Sequence, residues 1–322
     1  MKLINNIESI DKPFKNAIIT IGNFDGVHMG HKALFREVIN KAREIDGTSL
    51  AMTFEPHPNR VLKNNWQPSM ITLYEQKVEL LDHTGIDVLL CIPFSKYFAS
   101  IPAEEFVKDL LVKRIGIKAI IVGNDYVFGE NREGNLDMLK DLGQRLEFEV
   151  IIKDWIKAPN DSEARISSTR IRKLLKEGKL EEARLLLGRH YQIRGTVVTG
   201  QDRGARLLGF PTANIMPQDE LAPKNGVYAV SVECLGEIYQ GVANIGFSPT
   251  FNDGFFTLEV HILDFNKDIY GEKIRVNFVK RIRNEKKFST IEELVEKINR
   301  DILEAREIFG ECFHHQKVNI LP

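Results

Sequence analysis

Cysteine is scarce in this chain. Cys91, Cys234 and Cys312 are odd in number, far apart and without paired metal-ligand spacing, a pattern that supports neither a disulfide framework nor a zinc site. An excess of charge of either sign is also missing: 44 Lys and Arg stand against 45 Asp and Glu, for a formal net charge of -1. Such a balance gives no electrostatic footprint for nucleic acid. No apolar run approaches the roughly 20 residues needed to span a bilayer. The start, MKLINNIESIDKPF, has neither an apolar h-region nor a small-residue cleavage site. These absences lead us to expect a cytoplasmic protein, monomeric or weakly homo-oligomeric, with no nucleic-acid and no membrane partner.

What is present fits two ordinary domains. The 322 residues are 43% hydrophobic and 28% charged, the balance of a globular protein able to bury two cores. In the first half, AIITIG (17 to 22), TSLAMTF (48 to 54), DVLLCIPF (87 to 94), AIIVG (119 to 123) and EFEVIIK (147 to 153) are apolar on consecutive residues, as strands covered on both faces are. Between them, HKALFREVINKAREI sets Leu34, Phe35, Val38, Ile39 and Ala42 at helical spacing, and PAEEFVKDLLVKRIG does so with Phe106, Leu110 and Leu111. The pattern predicts a Rossmann-like parallel α/β sheet with helices on both faces.

After two short helices, broken by Gly178 and ended by Gly188, the texture changes. YQIRGTVVT, GVYAVSVEC, IYQGVANIG, FFTLEVHILDF and KIRVNFVKRI are β-rich runs separated by turn residues, with a hairpin turn at Leu235 to Glu237. They predict a small antiparallel β-barrel. A closing helix follows, with Ile291, Leu294, Val295, Ile298, Ile302 and Ala305 in one stripe and Ser289 with Glu292 as a capping box. The expected domains are 1–186 and 187–322.

Two constellations carry chemistry. GNFDGVHMGH (22 to 31) follows a strand and opens a helix, the place where an α/β sheet binds ligands. Gly22 and Gly26 let the backbone turn close to a phosphate, and the helix N-terminus offers N–H groups and a positive dipole end. His28 and His31 flank Gly30, so both rings can face one point and donate to nucleotide phosphate oxygens. Downstream, Arg165 precedes Ile166-Ser167-Ser168-Thr169-Arg170 at another helix start. Read alone, Ser-Ser-Thr is an N-cap; beside the arginines it can hold departing phosphates.

The second constellation is TGQDRGARLLGFPTAN (199 to 214). It has spaced glycines, Gly200, Gly204 and Gly209, but no Gly-Lys-Ser/Thr, so it is no Walker A loop. Pro211 gives a rigid turn. Thr212 and Asn214 put two side-chain oxygens on one side of an extended segment, ligands suited to Mg²⁺. Glu259 alternates with Leu258 and Val260 and so faces away from them. It is either a surface carboxylate or a base for an attacking alcohol. His261 points to the same side and reads as packing or support. Arg281, Arg283, Lys286 and Lys287 form a basic run, read as a solvated face with part of it able to meet a ligand phosphate.

His-x-Gly-His paired with Ile-Ser-Ser-Thr-x-x-Arg resembles the nucleotidylyltransferase superfamily. Phe24-Asp25-Gly26, Thr53-Phe54-Glu55-Pro56-His57-Pro58 and Gly123 to Gly129 narrow the resemblance to the FAD synthetase (FMN adenylyltransferase) module of bacterial bifunctional riboflavin kinase/FAD synthetases. RGARLLGFPTANI, Pro223 to Tyr228, Gly241 to Gly246, Pro249 to Phe251, Leu258 to His261 and Tyr270-Gly271 resemble the riboflavin kinase module of the same family. The resemblance implies ATP-dependent phosphorylation of riboflavin to FMN by the second half. Adenylylation of FMN to FAD by the first half follows, with Mg²⁺ as the metal. It implies that His28 and His31 meet ATP phosphates, that Arg165, Ser168 and Thr169 contact them downstream, and that Asp125 serves nucleotide binding and Phe128 the flavin. In the second half it implies Thr212 and Asn214 as metal and nucleotide ligands and Glu259 as the catalytic carboxylate. Met29 departs from the family pattern, where Arg is frequent. The rival expectations are a nucleotidylyltransferase of another substrate, which would not require the barrel, and a non-catalytic flavin-binding regulator, which would have broken motifs.

Overall fold

The computed structural model describes residues 1–62, 69–158, 161–199, 210–247 and 256–318. The chain divides into two compact units, Met1–Ser168 and Thr169–Pro322.

The first unit is built on a six-stranded sheet. Along the chain come β1 (Lys2–Ile4), β2 (Ala17–Ile21), α1 (Met29–Glu44), β3 (Ser49–Glu55), α2 (Tyr74–Asp82), β4 (Val88–Pro93), β5 (Ile117–Gly123), α3 (Leu136–Leu146) and β6 (Glu149–Lys153). The strand order is β1-β4-β3-β2-β5-β6 and every neighbouring pair is parallel. Alternate residues feed opposite faces. Ile18, Ala51, Leu89 and Ile121 pack with Phe35, Val38 and Ile39 of α1 and Leu81 of α2. Ile19, Met52, Leu90, Ile120 and Val122 pack with Phe106, Val107 and Leu111 and with Leu139 and Leu142 of α3. Burial on both faces is what makes the strands apolar on consecutive residues.

Two details differ from the expected pattern. Residues Phe106–Ile115 wind as a π-helix, closed by Gly116 at φ 78°, which turns Phe106, Val107, Leu111 and Ile115 inward while Leu110 is half-buried. The edge strand β1, too short to display a period, was not foreseen in MKLI. β2 has β3 on one side and β5 on the other, so the crossovers reverse direction there. The loops after β2 and β5 open at the carboxyl edge beside this reversal, the crevice where open α/β sheets take their ligands. A ribbon of β7 (Lys157–Ala158) and β8 (Asp161–Arg165) follows β6.

The second unit opens with α4 (Ser168–Glu177) and α5 (Leu180–Leu187). Gly178 separates them at φ 78°, where a Cβ would also lie 2.8 Å from Arg281 Cδ. Six strands then form a closed barrel in the order β10-β13-β12-β11-β14-β9. They are β9 (Tyr191–Val198), β10 (Ala213–Met216), β11 (Gly226–Cys234), β12 (Glu237–Phe247), β13 (Phe256–Ile262) and β14 (Lys273–Arg283), all paired antiparallel. Five were legible as β-rich runs; β10 is the Ala-Asn-Ile-Met that continues the Pro-Thr motif. The β11–β12 turn has Leu235 at φ 51° and Gly236 at φ 81° between the paired Cys234 and Glu237, the two positive values of a type I′ hairpin.

The last helix, α6 (Ile291–Val318), lies against this barrel through Ala305, Ile308 and Phe309, which pack on Ala229 and Val279. Its cap sits one residue later than expected. Glu293 N donates to Thr290 Oγ1 at 3.2 Å and Ser289 N donates to Glu293 Oε2 at 3.3 Å, because the pair needs an acceptor at the residue that immediately precedes the first helical turn. Part of the basic run is structural. Arg283 Nε lies 2.9 Å from Asp301 Oδ1, with Lys297 Nζ 3.2 Å from the same oxygen, and this tie binds α6 to β14.

Candidate active sites

In the first unit the turn between β2 and α1 is held in an unusual path: Phe24, Gly26 and Val27 have φ of 49°, 87° and 39°. Such backbone costs about 1–3 kcal/mol per non-glycine residue and persists only where neighbours enforce it. The enforcing side chain is Asp25, which is 2% exposed. Its Oδ1 accepts from Ile71 N and Thr72 N at 3.1 Å each, and Thr72 Oγ1 accepts from Gly26 N at 3.0 Å. Phe24 is buried beneath the turn, edge-on to His31 at 5.3 Å and to Phe35 at 4.8 Å between ring centroids. Asp25 and Phe24 thus shape the turn from within. Gly22 has room for no side chain either, since a Cβ there would lie 2.9 Å from the Phe24 ring.

His28 caps α1: its Nδ1 accepts from His31 N at 3.3 Å, so Nε2 is the ring atom able to donate. The two imidazoles stack, with centroids 3.5 Å apart and planes 19° from parallel. Burial, then the nearby charges of His28 and Lys77, hold His31 well below the usual histidine value. His31 Nδ1 and Asn23 Oδ1 are buried with no hydrogen-bond partner among the described residues. Two unsatisfied polar atoms at one turn are a site prepared for a polar ligand. Gly30 gives the His28 ring its place, because a Cβ there would stand only 3.2 Å from it, and the downstream segment passes close by, with the Ile166 carbonyl O 3.7 Å from the same point. Ser168 Oγ completes the tie, donating to the Asp25 carbonyl at 2.8 Å. His28, His31, Asp25 and Ser168 are therefore gathered at one place, and Thr169 follows as an exposed residue in the first turn of α4.

Asp125 and Arg165 make a separate pair. Arg165 Nη1 is 3.6 Å from Asp125 Oδ2, both are at least half exposed, and the guanidinium lies 4.3 Å from the centroid of the Trp155 ring. Phe128 is 7% exposed and belongs to the core, stacked on Tyr126 at 5.5 Å.

In the barrel, the register sets Asn214 of β10 opposite Glu259 of β13, and Glu259 opposite Asn244 of β12. Directly paired residues point to the same face, so Asn214, Glu259 and Asn244 form a polar row across three strands. The neighbours Leu258 and Val260 are buried on the other face. Burial, and secondarily the Glu285 carboxylate, push the Glu259 pKa up. Glu285 approaches from beyond β14, with Oε1 2.9 Å from where a Gly246 Cβ would be. His261 supports the motif rather than joining the row: its Nδ1 lies 2.8 Å from the Pro211 carbonyl O, and Phe210 meets it edge-on at 5.7 Å. Thr212 is half-buried, two residues from Asn214. Gly204 and Gly209, with Gly200 and the segment 249–251, lie outside the described residues.

A family profile described as FAD synthetase matches residues 10–170, and one described as riboflavin kinase matches residues 187–309. The bifunctional riboflavin kinase/FMN adenylyltransferase of Buchnera aphidicola subsp. Schizaphis graminum is 40% identical over 313 residues, 96% of this chain and 99% of that protein. The chain belongs to the bifunctional riboflavin kinase/FMN adenylyltransferase family. The Escherichia coli K12 relative of the same name is 40% identical over 96% of this chain and 98% of its own. A solved structure titled macrolide-efflux protein, from Streptococcus pneumoniae, matches with a TM-score of 0.84 at 35% identity, covering 94% of this chain and 98% of that one. The efflux in that title is that protein's; among the described residues here no helix is long and apolar enough to cross a membrane. The two profiles divide between the α/β sheet and the barrel, each with its own constellation.

Two residues in these sites were not singled out by sequence. Asn244 was visible only as part of a quoted motif, and strand register gives it a place. Lys77 carries its signal in spacing: it stands four residues before the buried Leu81 on α2, an apolar position for a charged side chain.

Proposed function

We infer that the chain makes FAD in two ATP-dependent steps, with residues 187–322 phosphorylating riboflavin and residues 1–186 adenylylating the FMN formed. In the first step the riboflavin 5′-hydroxyl attacks the γ-phosphorus of ATP, ADP leaves and Glu259 takes the hydroxyl proton. The observation that carries this assignment is the row Asn214, Glu259, Asn244. It offers one carboxylate flanked by two amides, and burial raises that carboxylate toward neutrality, where a general base works best. Mg²⁺ fits the oxygen-only donor set of Thr212 and Asn214 and, when bound, neutralises phosphate charge. Pro211 fixes the turn, and Gly204 and Gly209 give backbone N–H groups to the nucleotide.

In the second step an FMN phosphate oxygen attacks the α-phosphorus of ATP and pyrophosphate leaves. His28 donates from Nε2 and His31 from its available ring nitrogen to phosphate oxygens, stabilising the charge that builds there. Gly22, Phe24, Asp25 and Gly26 form the turn that brings backbone and rings to the phosphates. Arg165 and the Thr169 hydroxyl hold the leaving pyrophosphate, Ser168 adjoins them and ties their segment to the turn through the Asp25 carbonyl, Asp125 binds the nucleotide and Phe128 backs the flavin side. The protein acts in the cytoplasm as a monomer or weak homo-oligomer.

The test is incubation of the purified protein with riboflavin and Mg·ATP, followed by separation of products. FMN and then FAD are expected; absence of both would overturn the assignment.

A further inference from the structure

Lys77 is a buried cation that neither constellation includes. It is 1% exposed in the middle of α2, with Nζ 3.4 Å from the Asn23 carbonyl O and 3.8 Å from Glu55 Oε2 at the end of β3. Taking an ammonium out of water costs several kcal/mol, about as an order of magnitude, unless a charge and hydrogen bonds compensate. Glu55 compensates only in part, because its side chain is 37% exposed. A leucine or methionine would fill the same space on α2 without that cost. The charge therefore has a task, and its nearest contact says where.

Asn23 stands in the turn between β2 and α1, five residues before His28. Its carbonyl also accepts from Thr53 Oγ1 at 3.2 Å. The turn is thus held at two places: Asp25 grips the backbone of residues 71 and 72, while Thr53 and Lys77 converge on the Asn23 oxygen from β3 and α2. We propose that Lys77 is a positioning residue of the adenylyl-transfer site, its buried ammonium fixing the Asn23 carbonyl and with it the turn that presents His28 and His31. Its charge also reaches His31, where it acts after burial and His28 to hold the imidazole low. The charged groups that act on that ring are His28 at the cap of α1 and Lys77 on α2; Glu55 of β3 pairs with Lys77, Asp25 lies buried in the same turn, and Phe24 adds an uncharged ring.

The inference rests on adenylyl transfer being the reaction of residues 1–186, so the experiment separates the two. Wild-type protein is given FMN and Mg·ATP; no FAD would overturn that reaction and the inference with it. With wild type active, Lys77→Met is expected to lower FAD formation by about tenfold or more, the scale of a small misplacement of reacting groups. The loss falls on kcat more than on the KM for FMN, and riboflavin phosphorylation by the same preparation is unchanged. Lys77→Arg is expected to recover most of the loss. By NMR, His31 titrates at higher pH in Lys77→Met and at lower pH in Glu55→Gln, which leaves the ammonium unopposed. Unchanged FAD formation in Lys77→Met, or equal loss in Lys77→Met and Lys77→Arg, overturns the inference. Should Lys77→Met fail to fold, Glu55→Gln decides: an unmoved His31 titration also overturns it.

Discussion

His31 is the residue on which pH acts most directly. Its folded-state pKa is depressed, first by burial and then by His28 and Lys77, so the unfolded chain binds this proton more readily than the native one. Stability from this group is complete above the ordinary histidine value of about 6.5 and is lost as pH falls from there toward the native value. Trp155, beside the Arg165 guanidinium, lies in the first unit, and its fluorescence reports the denaturation of that unit. The wild type is expected to lose midpoint concentration between pH 7.5 and pH 5.5, as histidines charge, and His31→Gln to lose less; equal losses would show that His31 is not the group. The histidine pair stood out in the sequence through its place between a strand and a helix, whereas Thr212, Asn214 and Glu259 were singled out through the family resemblance, since spacing alone left a polar turn and a surface carboxylate. Asn244 was not, since its partner lies 15 residues away, at Glu259, and only strand register joins them. Lys77 was hidden because a lysine on an amphipathic helix ordinarily faces water.

At the scale of elements, the turn after β2 depends on the buried Asp25 carboxylate. Replacing Asp25 by Ala leaves the Ile71 and Thr72 N–H groups without their acceptor, a cost of about 1–3 kcal/mol for buried groups. The tryptophan-reported transition should drop by that amount and FAD formation should fall with it, while FMN formation from riboflavin is unaffected. A loss of FAD formation with no change in stability would place Asp25 on the substrate instead. In the second unit, Asp301 is 1% exposed and holds Arg283. Asp301→Ala removes the buried anion that the half-buried Arg283 and Lys297 share, at about 1–3 kcal/mol for the lost charged hydrogen bonds, and is expected to lower barrel stability and FMN formation, measured by thermal unfolding and by product, while FAD formation from added FMN persists. Five strands of each sheet were readable from apolar runs or alternation. The strands missed are β1, of three residues, β10, of four that read as a motif, and the ribbon of β7 and β8, which carries no apolar run. The helix cap was off by one because Ser289 and Thr290 are both competent acceptors, and only geometry selects between them.

At the scale of the whole molecule, the order of reactions runs against the order of the chain: the barrel acts first and the α/β sheet second. The two profile matches fall on separate units with separate cores, and each constellation is completed within its own half of the sequence. Labour is divided between the two halves of the chain, the barrel forming FMN and the α/β sheet converting it to FAD. The direct test of this division is a mixing experiment on riboflavin and Mg·ATP with two full-length variants. His31→Ala alone should stop at FMN. Glu259→Gln alone should form no FMN yet convert added FMN to FAD, the loss of a general base amounting to about 10²-fold or more. Mixed together, the two should restore FAD from riboflavin. Each variant losing both reactions, or the mixture forming no FAD, would contradict the account.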